Sequence, residues 1–377
     1  MARGLKKFEL QRRLDDTIGA FFATLFFWKK QRELPKKIRR ICVIKLSGIG
    51  DAILTLPMIK KLKEAGKEVF VIAAKENFVV YNQSFIDKII VFDIKTANPF
   101  KILKFVNNMK KLNIDVAIDT SQTAYFSAML SYLISKFCVG FSNPKTPKRN
   151  RIYDVTIQQN PSKHMVFNFL DLIKPLGFHY EPKKIHLLKL PFSKKDEERV
   201  RKLIENHKNL VGIHPCSVFD YREWPRENWA KIIEYLVKKY KVKIVIIGAK
   251  DEKPKVDKLI GLLSKEVKKE IIDAVGKLNL QEVFALMPKL KLFIANDGGP
   301  MHIAAAQGVS TIGLFGTDTP LRYAPFNRKS LAIYKNLPGH PCIKPYLKEF
   351  KPCGKCFKAI KVDEVRAAIK KLEKYLK

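Results

Sequence analysis

From Arg39 onward the chain repeats one local pattern: a short apolar run, a turn, then an amphipathic stretch of helical period. "ICVIKL" is a short apolar run, as expected for a buried parallel strand, and "VFVIAA", "KIIVFD" and "VAIDT" (116–120) read as further strands. "AILTLPMIKKLKEAG" after the first run reads as an amphipathic helix closed by Gly66. Alternation of this kind predicts a doubly wound α/β sheet. The pattern starts afresh with "LVGIHP" (210–215), "VKIVIIG", "LFIAND" and "STIGLFG", and "PRENWAKIIEYLVKKY" is a helix with Pro225 in its first turn. The charged stretch from Lys189 to Lys208 has no strand pattern, and a helix and an interdomain linker are expected there. Its 377 residues fit a chain of about two domains. Ligand loops are then expected at the carboxyl ends of strands, in a cleft between facing domains. The expected segments are 1–37, 38–190, 191–360 and a C-terminal helix at 361–377.

Charge is the second constraint. There are 72 Lys and Arg against 36 Asp and Glu, a net +36. Such an excess favours anionic partners: nucleic acid, anionic lipid headgroups or phosphorylated substrates. A Lys-rich, well-solvated surface accounts for part of it. No recognised nucleic-acid module is present, so nucleic acid is not the expected partner. No stretch reaches the roughly 20 apolar residues of a membrane span. Residues 1–37 stand apart: Leu14, Ile18, Phe21, Phe22, Leu25 and Phe26 recur at helical spacing, flanked by Lys6, Lys7, Arg12, Arg13, Lys29, Lys30 and Arg32. An aromatic face with a basic rim fits a helix lying in a membrane interface, and equally a helix docked on the protein or a partner. No secretory signal is evident, so a reduced, cytoplasmic compartment is expected. Cys42 and Cys138 lie in apolar surroundings as core residues.

Three motifs can carry chemistry. Ser47-Gly48-Ile49-Gly50-Asp51 joins a strand to a helix, where glycines let backbone approach a ligand and the helix N-terminus favours negative charge. It is neither a dinucleotide fingerprint nor a Walker A loop. Asp51 is a carboxylate at a strand end, or simply an N-cap. In "IHPCSVFDYREWPRENW", the Ser217 hydroxyl and nearby N–H groups are candidates to face phosphate. Arg222 suits a diphosphate, or forms a surface ion pair. Trp224 reads as core. Asn296-Asp297-Gly298-Gly299-Pro300-Met301-His302 again joins strand to helix, with a glycine pair as a phosphate cradle and His302 in the first helical turn.

With these segments in this order, the chain resembles the heptosyltransferases, glycosyltransferase family nine. "ICVIKLSGIGDAILTLPMIKKLKE", the H-P-x-S…R-E-W-P segment, "ANDGGPMHIAAAQG", "TIGLFGTDTP" and "CFKAIKVDEVRAAI" carry the resemblance from about Arg39 to about Ile369. The resemblance implies a GT-B fold of two facing Rossmann-like domains. It implies inverting, metal-independent transfer of heptose from ADP-heptose to the lipopolysaccharide inner core, at the inner face of the cytoplasmic membrane. It makes Asp51 the catalytic base. On the donor side it implies Ser217, Arg222 (a Lys in the family), Asp297, Gly298 (a Thr in the family), Gly299 and His302. It also aligns Glu252 with a ribose contact and Leu278 with an adenine contact.

On the acceptor side, Ser47, Gly48 and Gly50 line the first turn. Lys145, Lys148, Arg149 and Arg151 of "NPKTPKRNR" are candidates for the anionic acceptor, or form a solvated loop. Cys342, Cys353 and Cys356, near His340, are weak candidates for structural zinc or iron, with reduced thiols as the alternative. No cofactor is otherwise expected. The rival functions are another GT-B nucleotide-sugar enzyme, an epimerase among them, and a basic nucleic-acid-binding protein.

Overall fold

The computed structural model describes residues 30–93, 98–338 and 355–376, with Asp15, Thr17, Gly19, Ala20, Phe21, Ala23 and Thr24 ahead of them. The chain divides into two compact units, Met1–Ile185 and His186–Lys377.

The first unit holds a sheet of β1 (Arg40–Lys45), β2 (Glu68–Ala73), β3 (Lys88–Val91), β4 (Ile114–Asp119), β5 (Ser135–Ser142) and β6 (Val155–Gln158). Their order is β3-β2-β1-β4-β5-β6, and every pairing is parallel. Parallel strands need crossovers, and the helices Ile49–Glu64, Pro99–Lys110 and Tyr125–Ile134 supply them. Cys42, Ile44, Phe70, Ile72 and Ile114 form one core cluster and Ala117, Tyr125, Cys138 and Tyr153 another. Cys42 and Cys138 are fully buried, as their apolar surroundings predict.

The second unit repeats the scheme with β7 (Leu210–His214), β8 (Lys243–Ile246), β9 (Ile271–Asp273), β10 (Leu292–Asn296), β11 (Ser310–Phe315) and β12 (Leu331–Tyr334). The order is β12-β11-β10-β7-β8-β9, again parallel throughout. Helix Lys194–Leu203 stands in the charged stretch, opened by a capping box of Ser193 and Asp196. Trp224 is core, 2 % exposed, edge-on to Trp229 at 5.3 Å, with its indole N–H on the Ile360 carbonyl. The C-terminal helix Val362–Lys371 completes this same core through Val365 and Ile369.

Sequence reading finds eight of the described strands, the edge strand β3 among them, and misses four. β6, β9 and β12 are half-exposed edge strands of only three or four residues. β5 begins where helix Tyr125–Ile134 ends, so the helical apolar pattern runs into it without a turn.

The described N-terminal residues pack on the first unit. Asp15 accepts hydrogen bonds from the N–H groups of Tyr125 (2.8 Å) and Phe126 (2.9 Å), capping a helix whose own N-cap, Ala124, has no side-chain acceptor. Ala23 is 2 % exposed, whereas Phe21 is 69 % exposed. Arg32, expected in the basic rim, is instead a structural tie. Its guanidinium binds Asp154 at 2.7 Å and the carbonyl of Ser135 at 2.6 Å, and lies 4.0 Å over the Tyr132 ring. Leu14, Ile18, Phe22, Leu25, Phe26, Lys6, Lys7, Arg12, Arg13 and Lys29 lie outside the described residues.

One close approach seats the C-terminal segment on the second sheet. A Cβ at Gly316, just after β11, would fall 2.1 Å from the ring of the buried Phe357. Gly316→Ala should therefore lower the unfolding free energy by about 1–3 kcal/mol. The check is a lower urea midpoint at unchanged slope.

Candidate functional site

In the first unit the turn after β1 is built on Gly48. Its φ of +75° lies in the left-handed region that suits glycine, and it is the N-cap of helix Ile49–Glu64. Asp51 is thus the third residue of the helix, and the N-cap reading of it is corrected: Gly48 holds that place, with no side-chain cap hydrogen bond. The Asp51 carboxylate turns back to the end of β1, where Lys45 Nζ donates to Oδ2 at 2.8 Å. The side chain is 25 % exposed, and Oδ1 has no partner among the described residues. Ser47 and Gly48 are exposed and Gly50 is half-buried.

The basic loop after β5 lies on the same carboxyl edge, two strands along from β1. Lys148 and Arg151 are exposed and Lys145 is half-buried. Arg149, expected to meet an acceptor, is fully buried and has a structural role instead. Its Nε binds the Ala124 carbonyl (2.8 Å), Nη1 the Phe141 carbonyl (2.9 Å), and Nη2 the Ser121 carbonyl (2.7 Å) and Asp119 (3.3 Å). Tyr153, whose hydroxyl burial keeps protonated, donates to the same Asp119 at 2.6 Å. With four of its five N–H donors bound inside the protein and no exposed surface, this guanidinium is out of a ligand's reach.

In the second unit four adjacent strands deliver the candidates to one edge. Ser217 and Arg222 follow β7, Glu252 follows β8, Leu278 follows β9, and Asp297 to His302 follow β10. Asn296 stitches two of these loops: its amide donates to the Pro215 carbonyl at 2.7 Å and its Oδ1 accepts from Trp224 N–H at 3.3 Å. Arg222 reaches across to Asp297, Nη2 to Oδ2, at 2.5 Å. It is not a surface pair: the two side chains are 22 % and 7 % exposed. Burial opposes the Arg222 charge, but Asp297 and Asp318 outweigh it and raise the guanidinium above its ordinary value. Its Nε is buried without a partner among the described residues.

The backbone N–H of Ser217, expected to face phosphate, is spent on Glu223 Oε1 at 2.8 Å, while its side chain remains half-buried. Glu252 binds His214 at 3.4 Å and the Ala249 N–H at 2.7 Å. Burial opposes its charge, but these partners and Lys255 hold the carboxyl below its ordinary value. Leu278 is half-buried. Gly298 is fully extended (φ 174°), and a Cβ there would meet only ordinary contacts at 3.8 and 3.9 Å. Gly299 opens helix Gly299–Ala306, and His302 is 3 % exposed, edge-on to Tyr323. Cys216 is buried, which pushes its thiol up to about 12.

Sequence reasoning assigned no role to Asp318 and Arg322, after β11, although "TIGLFGTDTP" contains the first. They are 5 % and 3 % exposed and pair at 3.7 Å. Burial pushes the Asp318 carboxyl up to about 6, against the pull of Arg322 and with the help of Asp297. The result is a cluster of two arginines and two carboxylates on the loops after β7, β10 and β11. The metal candidates Cys342 and Cys353, with His340, lie outside the described residues, and Cys356 is buried. Among the described residues no group of three His, Cys, Asp or Glu is placed to hold a metal.

Two parallel six-stranded sheets, each with a glycine turn between a central strand and a helix, are the architecture of the GT-B class. The family model glycosyltransferase family 9 (heptosyltransferase) matches residues 102–351. The chain belongs to that family, and it is a glycosyltransferase. It is similar to the lipopolysaccharide core heptosyltransferase OpsX of Haemophilus influenzae, 27% identical over 303 residues, covering 78% of this chain and 83% of that one. Among solved structures, a family 9 glycosyl transferase from Veillonella parvula superposes with a TM-score of 0.74 at 20% identity, covering 90% of this chain and 99% of that one. The E. coli ADP-heptose LPS heptosyltransferase II gives 0.71 at 17%, covering 89% and 98%. Both share the fold.

The Asp318 shift has a signed consequence. A carboxyl with a raised folded value contributes stability below its unfolded value near 3.8, and this is lost as pH rises through about 6. The thermal midpoint of Asp318→Asn should gain on the wild type as pH rises across that window and run parallel above it. Thermal melts from acid to neutral pH check the crossover.

Proposed function

We propose that this glycosyltransferase moves a heptose from ADP-heptose to the inner core of a lipopolysaccharide precursor, with inversion at the anomeric carbon. The names of its relatives support the reading: one is a lipopolysaccharide core heptosyltransferase and one structure is of an ADP-heptose heptosyltransferase. The observation that carries the mechanism is the Asp51 carboxylate, one oxygen bound to Lys45 and the other open, on a glycine turn at a strand end.

In this reading the acceptor hydroxyl gives its proton to Asp51 Oδ1 as its oxygen bonds to the anomeric carbon. The bond from that carbon to the diphosphate breaks, and the electron pair leaves with ADP. Arg222, the Ser217 hydroxyl, the N–H groups after Asp297, and His302 from its buried position stabilise the departing charge. Arg222 is already bound to Asp297, so the diphosphate must share or displace that carboxylate. Asp297 released in this way meets the sugar hydroxyls. Glu252 takes the ribose and Leu278 the adenine. No cofactor is required, since fixed protein charges meet the leaving group.

Ser47, Gly48 and Gly50 line the acceptor side, and Lys145, Lys148 and Arg151 receive its carboxylates and phosphates. Asp15 and Ala23 rest on the first unit, and residues 1–37 meet the inner face of the cytoplasmic membrane on the side of the exposed Phe21. Among the described residues no helix is long and apolar enough to cross a membrane.

With ADP-heptose and an inner-core lipid acceptor, Asp51→Asn should lose about 100-fold or more in transfer while ADP affinity holds. Near-wild-type turnover sinks the assignment of the base, and transfer only from UDP- or GDP-sugars sinks that of the donor. The full chain should co-sediment with vesicles rich in anionic lipid and not with neutral ones, and release in high salt.

A further inference from the structure

Lys45 closes β1 at the centre of the first sheet, between β2 and β4. Its side chain is 4 % exposed. Lysine is almost never buried to this degree without a partner, and among the described residues Asp51 Oδ2, at 2.8 Å, is its one hydrogen-bond acceptor. The neighbours fix its position. The ammonium lies 5.7 Å from the Phe169 ring centroid, on helix Met165–Asp171. Its backbone carbonyl accepts from the fully buried Asn77 amide at 3.2 Å, and Asn77 Oδ1 accepts from Ala74 N–H at 3.0 Å.

We infer that Lys45 is a positioning residue for the transfer step: it pins one oxygen of Asp51 and thereby presents the other to the acceptor hydroxyl. The inference rests on the reading of Asp51 as the base. A carboxylate in the first helical turn is already favoured by the helix dipole, so stabilising the helix does not require a buried lysine. What the lysine adds is direction. Without it the carboxylate is free to rotate, and either oxygen can turn away. Among the described residues, the other titratable group facing this carboxylate is Tyr81, whose hydroxyl lies 3.1 Å from that of Thr55. Burial and the Asp51 charge push its hydroxyl far above its ordinary value, so it does not titrate in the working range.

The test uses the full chain with Lys45→Met, Lys45→Gln and Lys45→Arg, each checked for folding by circular dichroism and thermal melting. Lys45→Gln keeps a polar side chain but has neither the charge nor the reach of lysine, and it secures the test if the methionine variant does not fold. The measurement is kcat and KM for ADP-heptose and acceptor. Both neutral variants should lose about 10-fold or more in kcat with donor KM unchanged. Lys45→Arg, which keeps a charged donor, should restore most of the rate. Wild-type kcat in a folded neutral variant overturns the proposal. So does a loss of kcat that Lys45→Arg does not relieve, the mark of a merely structural lysine. Asp51→Asn separates the two readings. Full transfer by that variant removes the base assignment itself, whereas abolished transfer together with wild-type kcat in the neutral Lys45 variants removes only the role of Lys45.

Discussion

Each strand in both sheets pairs only in parallel, and the arrangement of the candidate residues descends from that constraint. A parallel pair cannot be closed by a hairpin, so each strand must cross over through a helix. All carboxyl ends then lie on one edge. The loops there are short, polar and followed by helix N-termini. Gly48 to Asp51 in one unit and Asn296 to His302 in the other are the same solution, used twice.

Within that frame, charge is sorted by what each group has left to offer. Arg149 and Arg222 look alike in sequence, each a basic residue in a loop at a strand end. Arg149 spends all three nitrogens on carbonyls and on Asp119, and so locks the loop that carries it. Arg222 holds one carboxylate and keeps a nitrogen without a partner among the described residues. A buried charge is tolerated only when paired, and the identity of the pair decides whether the residue builds the loop or serves a ligand. The Lys45–Asp51 and Arg322–Asp318 pairs follow the same rule.

The periodicity of the N-terminal segment allows a membrane helix and a docked helix alike. Asp15, Ala23 and Arg32 bind the first unit, with Arg32 leaving the basic rim to clasp Asp154, while Phe21 is exposed. Among the described residues those that dock are small or polar, and an apolar periodicity does not bring them forward.

The sequence by itself determined the alternation of strand and helix, the two units, eight of the strands, the glycine turns with Asp51 and Asp297, and Arg222 after a strand. Those features are local: continuous apolar runs, turn residues, and chemistry placed directly after a strand. It did not disclose β6, β9 or β12, which are only three or four half-exposed residues long. It did not disclose β5, because no turn separates that strand from the helix before it. Only the tertiary structure decided which charged residues meet. Lys45 reads as the last residue of a strand, Asp318 as part of a turn, and Arg149 as one basic residue among several. Their partners Asp51, Arg322 and Asp119 are brought to them by helix starts and strand order. The energy of an ion pair depends on distance and burial, which a linear sequence does not contain.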